Sequence, residues 1–187
     1  MAASADIYSA TGGTDNNPGA NNIVTTVRYK EADNNTVDLN NPVTIPPSGT
    51  KWSYWKHNYI QFGGTFTQIN NIKWWVASFN WTGVTLWIDD NLAALQHSTG
   101  TPNTTGYEVA DGLNNLNTHA HITTPVNAGT TYTSSGSAKT IDIDESLGVI
   151  DAAGESSNYW VTALEVGVTA VAGTQAAKTC NVEYDEI

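Results

Sequence analysis

Ile72-Lys73-Trp74-Trp75-Val76-Ala77-Ser78-Phe79-Asn80-Trp81-Thr82-Gly83-Val84-Thr85-Leu86-Trp87-Ile88 decides the fold class. Ile72, Trp74 and Val76 fall on one side of an extended chain, and Lys73 and Trp75 on the other. After a turn at Trp81-Thr82-Gly83 the pattern repeats, with Val84, Leu86 and Ile88 opposite Thr85 and Trp87. A period of two is the signature of a half-buried strand, because successive Cβ atoms point to opposite faces of a sheet. Trp160, Thr162, Leu164, Val166 and Val168 line one face of a third such segment. The predicted core therefore comprises Ile72, Trp74, Val76, Val84, Leu86, Ile88, Trp160, Leu164, Val166 and Val168.

Outward from these segments, Ile23, Thr25, Val27 and Tyr29 alternate with polar residues, Trp52 to Phe62 is aromatic and strand-like, and Ala177 to Tyr184 returns as a last strand. Asn41 to Gly49 holds three prolines and reads as an edge or extended stretch. Between 89 and 150 the pattern is less regular. A short helix is predicted from Asp89-Asp90-Asn91-Leu92, short strands at His119 to Thr124, Thr131 to Thr133 and Ile141 to Ile143, and a helical turn over Glu145 to Ile150. About eight to ten strands with turn signals between them predict an all-β, single-domain β-sandwich of jelly-roll-like kind over residues 23–187. Residues 1–22, dense in turn formers from Thr11 to Gly19, read as an extended N-terminal arm.

The chain has 187 residues, one cysteine and a net charge of −11. One cysteine excludes an internal disulfide framework, and Cys180 reads as a small buried hydrophobe on a strand. Seven basic residues, with Arg28 the one arginine, argue against nucleic acid and anionic membrane surfaces as partners. No apolar run approaches a membrane span, and Met1 to Asp6 has no basic, apolar leader pattern. Charged residues make up 13% of the chain, while Asn and Thr supply roughly a quarter of it. A neutral polar surface lowers the desolvation cost of packing against copies of the same chain.

Residues with chemistry are sparse. His119 and His121 share a face if they lie on a strand, which suits a transition metal only with a third ligand; the expected state is a solvated strand edge without metal. Asp142, Asp144 and Glu145, and Asp89 with Asp90, are oxygen-rich loops compatible with structural calcium but without EF-hand spacing. No other cofactor is expected. No nucleophile elbow, phosphate loop or dinucleotide fingerprint is present, and the acids Glu108, Glu145 and Glu165 are not paired by sequence. The chain is therefore expected not to be an enzyme. The tryptophans carry more information. Trp75 and Trp87 lie opposite the apolar stripe, where they serve a second hydrophobic layer, a subunit interface or sugar stacking. Tyr184 and Ile187, in the terminal segment, are candidates for strand addition to a neighbour.

Tyr29-Lys30-Glu31-Ala32-Asp33-Asn34-Asn35-Thr36, Ile45-Pro46-Pro47-Ser48-Gly49-Thr50 running into Ser53-Tyr54-Trp55-Lys56, and Val182-Glu183-Tyr184-Asp185-Glu186-Ile187 resemble structural proteins of tailed bacteriophages and their metagenomic relatives. The resemblance implies a non-enzymatic virion component that decorates or stabilises a particle exterior. Its partners would be copies of itself and other capsid or tail proteins, and its assembly would take place in the host cytoplasm. It supplies no site residues. The other reading is a carbohydrate-binding, lectin-like sandwich that uses exposed tryptophans on a glycan.

Overall fold

The computed structural model describes residues 2–89, 95, 106–112, 115–143 and 149–187. Strands take 41% of the described residues and helix 6%, so the class is all-β. The strands are β1 (Ala3–Thr14), β2 (Asn17–Ile23), β3 (Thr50–Trp52), β4 (Lys56–Gly64), β5 (Ile69–Val76), β6 (Val84–Ile88), β7 (Val126–Asn127), β8 (Lys139–Thr140), β9 (Trp160–Gly167) and β10 (Cys180–Glu186). A single helical turn, α1 (Ala128–Thr131), packs against β5 and β6. The larger sheet runs β2-β1-β4-β9-β6-β7, with β3 also paired to β9; the smaller runs β10-β5-β8. All pairings are antiparallel.

The two sheets form a sandwich with the alternating apolar residues inside. Ile60, Phe62, Leu86, Ile88 and Trp160 of the large sheet and Ile69, Ile72, Trp74 and Val76 of the small one are all buried. Phe62 of β4 meets Tyr184 of β10 edge-on, with ring centroids 5.1 Å apart. Burying an aliphatic side chain of this kind contributes about 1.5–3 kcal/mol. Along β9, β3 and β4 occupy one edge in succession. Between them Ser53 bridges the gap: its amide donates to the Leu164 carbonyl at 2.8 Å, and its hydroxyl accepts the Leu164 amide at 2.9 Å.

Of the ten predicted core residues, eight are buried, Val84 is half-buried, and Val168 is 52% exposed. β9 stops at Gly167, whose amide donates to Gly83 and whose carbonyl accepts from Ala170 in a turn. Val168 therefore sits beyond the strand, and alternation no longer governs it.

Within the segment 1–22 read as an arm, the described residues from Ala3 onward belong to the domain. They form a hairpin of the large sheet, with Ala3–Ala10 paired to Gly64–His57 and Tyr8–Thr14 paired to Ile23–Asn17. Ser9, Ala10 and Thr11 are buried. The turn, with Asn16 in the left-handed region (φ 60°), is tied down further: Asn16 donates to Tyr107 O at 2.9 Å, and Asp15 Oδ1 accepts from the Val109 amide at 3.0 Å. Ladder hydrogen bonds to a distant strand offset the backbone entropy that composition alone suggests is unmet. Gly13 (φ 81°) makes the hairpin's narrow end possible, since a Cβ there would run into the backbone of Asn17 and Gly19.

Three further expectations need correction. Val24 to Lys30 is irregular chain rather than strand: the Val24 amide still donates to Ile7 O at 2.8 Å, but the chain beyond it joins no ladder. The Tyr54 amide donates to Lys30 O at 3.0 Å, and side chains hold the chain that follows: Lys30 Nζ donates to Thr36 O and Asp38 Oδ1, both at 3.1 Å, and buried Lys56 donates to Ala32 O and Asn34 O at 2.9 and 3.2 Å. His119 to Thr124 and Thr131 to Thr133 are not strands: a 3-10 turn at Leu116–Thr118 precedes the first, and α1 ends at Thr131. Cys180 lies on a strand but is exposed, because β10 is an edge of the small sheet. The predicted helix over 90–92, most of the 145–150 turn, and the acids Asp90, Asp144 and Glu145 lie outside the described residues.

Candidate functional site

Trp87 and Trp75 sit on the faces opposite Leu86 and Trp74, as alternation predicts, but on different sheets, and Trp87 packs against the buried cluster from that side. Trp87 is opposite Ala163 and Asn127 in the large sheet, and Trp75 is opposite Asn181 in the small one. Both are half-buried. Trp87 belongs to a cluster. Its indole Nε1–H donates to Glu165 Oε2 at 2.8 Å, and its ring lies 6.0 Å from that of Trp52, tilted by 36°. Register explains the grouping: Trp52 and Thr85 flank Glu165 from either side of β9, and Trp87 lies one pleat further along β6. Two indoles with a carboxylate beside them form a partly covered aromatic surface. Trp75 has Lys73, ion-paired with Glu183 at 3.5 Å, on its face of the small sheet.

Tyr184 is half-buried against Phe62, and Ile187 is 67% exposed. The terminal backbone is already engaged: Ile187 N donates to Gln68 O at 2.9 Å, and Ile187 O accepts from Thr67 and Gln68. Any strand addition at this end would use the outer edge of β10 rather than a loose tail. The other long outer edge belongs to β2, seven residues like β10. Its residues, Asn-Pro-Gly-Ala-Asn-Asn-Ile, include no charge and are exposed except for half-buried Pro18.

Chain topology brings together histidines that the sequence leaves apart. His57 on β4 and His119 are buried, with their Nε2 atoms 2.8 Å from each other. The Glu108 amide donates to His57 Nε2 at 3.3 Å, so that nitrogen carries a lone pair and His119 supplies the hydrogen of the imidazole–imidazole bond. His119 Nδ1 in turn accepts the His121 amide at 3.1 Å. Burial is the main reason that both rings are held neutral: His57 lies well below its ordinary range, and His119 falls to about 3. Glu108 Oε2 sits 3.3 Å from His119 Nδ1 and accepts the Ala120 amide. Burial raises this carboxyl, and its protonated form can donate to Nδ1. Trp55 seals the cluster, its Nε1 donating to Glu108 O at 2.9 Å and its ring 4.9 Å from His119.

His119 is therefore a core residue, not a solvated strand-edge residue, and its partner is His57. His97 lies outside the described residues. Among the described residues no group of three or more His, Cys, Asp or Glu is arranged to hold a metal. A sealed, neutral histidine pair supports packing and buried hydrogen bonding.

No known protein family, characterised protein or solved structure matches this chain. The geometry alone must therefore carry a functional reading. Sequence reasoning missed Trp52 and Glu165 as neighbours of Trp87, although the aromatic run from Trp52 and the alternation around Glu165 were the available signals. It also missed His57 and Glu108, which no local pattern marks.

Proposed function

We propose that this chain is a non-enzymatic structural protein of a phage particle, decorating or stabilising the particle exterior and working in many copies. The observation that carries the reading is the outer edge of β2: seven residues without a charge, at the end of a seven-stranded sheet. Solitary β-proteins blunt such edges with lysines, bulges or covering loops, because open N–H and C=O groups recruit other strands. Here only Pro18 interrupts the edge, and Ile23 is 59% exposed. A strand from a neighbouring subunit would satisfy these groups. The acidic balance suits an outward position better than one against packaged nucleic acid. Mass spectrometry of purified particles tests the proposal: the chain should be an abundant component, and its absence from heads and tails alike would end the reading.

A second reading rests on Trp52, Trp87 and Glu165. Indoles stack on sugar C–H faces, and a neighbouring carboxylate accepts hydroxyl hydrogen bonds. On a glycan array the isolated chain would then bind specific sugars, and Trp87→Ala would abolish that binding. An array without specific binders leaves these side chains to subunit contacts.

A further inference from the structure

Hydrogen-bond parity shows which backbone groups of β2 are open. In an antiparallel ladder, successive residues alternate between turning their N–H and C=O toward the partner strand and turning them away. The Val24 amide donates to Ile7 O at 2.8 Å, in register with Tyr8 opposite Ile23 and Ser9 opposite Asn22. Val24 and Asn22 therefore face β1, while Ile23 and Asn21 turn their N–H and C=O outward. The far side of β1 agrees. Ile60, opposite Ile7 on β4, faces away from β1: its amide donates to Ser157 Oγ at 3.0 Å, and its carbonyl accepts the Ser157 amide at 2.9 Å. Ile7 is thus turned toward β2, as the Val24 bond requires.

Charge and strand length select what covers this edge. Residues 16–27 carry no charge, so nothing on the strand steers an acidic or a basic peptide to it. In a chain of net charge −11, two copies meet with least repulsion where neither is charged. Among the other outer strands of the described residues, β3, β7 and β8 have three residues or fewer. β10 carries Glu183, Asp185 and Glu186, and its register breaks between Glu183 and Asp185. β2 has no cation to set beside those acids. The strand that fits is β2 of a second copy.

We propose that two copies of the chain pair through β2, antiparallel across a two-fold axis at Asn22, joining their large sheets into one. This names the partner for the multi-copy reading above and rests on it. With Asn22 opposite Asn22, Asn21 of each copy stands opposite Ile23 of the other, and the two exchange both backbone bonds. Every outward group of these residues is then met, and Ile23, 59% exposed, is covered by the partner strand. A register one residue off would set outward groups against inward ones. Moving the axis to Asn21 would leave Ile23 facing Gly19, where the pairing of β2 with β1 is interrupted. The contact uses the same surface on both copies, so it closes at a dimer.

Single-cysteine variants of the full chain, made on Cys180→Ser, read the register. Facing residues at the axis are about 4.5–5.5 Å apart, within disulfide range. Asn22→Cys should therefore form disulfide-linked dimers under mild oxidation at least ten-fold faster than Ala20→Cys, whose two copies lie roughly 14 Å apart in this register. In the wild-type chain, amide exchange at Asn21 and Ile23 should slow at least ten-fold from low to high protein concentration, while exchange at Asn22 stays constant. Cross-linking of Ala20→Cys as fast as Asn22→Cys, or exchange independent of concentration, would overturn the pairing. A mixed disulfide between Asn22→Cys and Cys180 of added wild type would also overturn it, by placing β10 on this edge. A chain monomeric in solution yet abundant in particles would overturn the two-fold seam alone, the edge then being covered by another protein. Dimers of a chain absent from particles would uphold the seam and end the particle reading.

Discussion

His57 and His119, 62 residues apart in sequence, share one buried hydrogen bond between their Nε2 atoms at 2.8 Å. His57 Nε2 is the acceptor of that bond, so protonating His57 there removes it, whereas a proton on His119 goes to the buried Nδ1. Both folded-state pKa values are depressed below the ordinary 6.5, His119 to about 3. Below pH 6.5 the unfolded chain takes up protons that the folded chain refuses, so stability is present at neutral pH and falls as pH drops toward 3. Going from pH 7 to pH 5 should cost about 2 kcal/mol through His119, with His57 acting in the same direction. The raised Glu108 and Asp33 carboxyls, which bind protons more readily when folded, oppose part of this loss. Urea midpoints measured across this range should fall with acidification. A flat profile would mean that the rings titrate normally.

His119→Gln should separate the pair from those carboxyls. Removing one titrating ring should reduce the pH slope by up to one proton. The glutamine Nε2–H₂ group can still donate to His57 Nε2, so the cost at pH 7 should be about 1 kcal/mol or less. Denaturant unfolding of wild type and variant at pH 7 and pH 5 reads both effects, and parallel pH profiles would contradict the assignment.

Adjacent tryptophans should respond differently. Trp74→Ala empties a fully buried site and should cost about 3–5 kcal/mol. Trp75→Ala, on the outer face of the same strand, should cost less than half as much. Equal losses in chemical denaturation would mean that Trp75 belongs to a second core.

Lys56 holds the segment that follows β2, donating to Ala32 O and Asn34 O from a buried position. Burial pushes its pKa down to about 8 despite Asp33. Lys56→Met removes the donors but leaves the carbonyls and the Asp33 carboxylate in place. A loss of about 2–4 kcal/mol is expected from these stranded acceptors. Amide exchange should accelerate over 30–38 before the rest of the sheet. Unaltered exchange there would show that the segment is held by other contacts.

Asn21→Lys places a charge on the free edge of β2 without touching the core. Monomer stability should stay within about 0.5 kcal/mol of wild type, as for surface substitutions generally. Self-association measured by sedimentation, or incorporation into particles, should fall at least ten-fold if this edge recruits a neighbour. Undiminished assembly would place the contact elsewhere.

Local alternation was enough to assign Trp74, Leu86, Ile88 and Trp160 to the core and Trp75 and Trp87 to outward faces, because the direction of a strand side chain depends on its immediate neighbours. It failed at Val168, where the strand had already ended, and at Val24 to Lys30, where alternation occurs without a partner strand. The hairpin of β1 and β2 was read as an arm because its stabilising partner, β4, lies more than forty residues away. Long sequence separation likewise hides the meeting of His57 with His119 and of Trp52 with Trp87. The sequence by itself determined an acidic, disulfide-free, all-β chain and the facing of its regular strands, properties set by composition and by a two-residue period. Only the tertiary structure decided which strands are neighbours, and so which edges stay open and which polar groups are buried together, because chain topology rather than local spacing sets those distances.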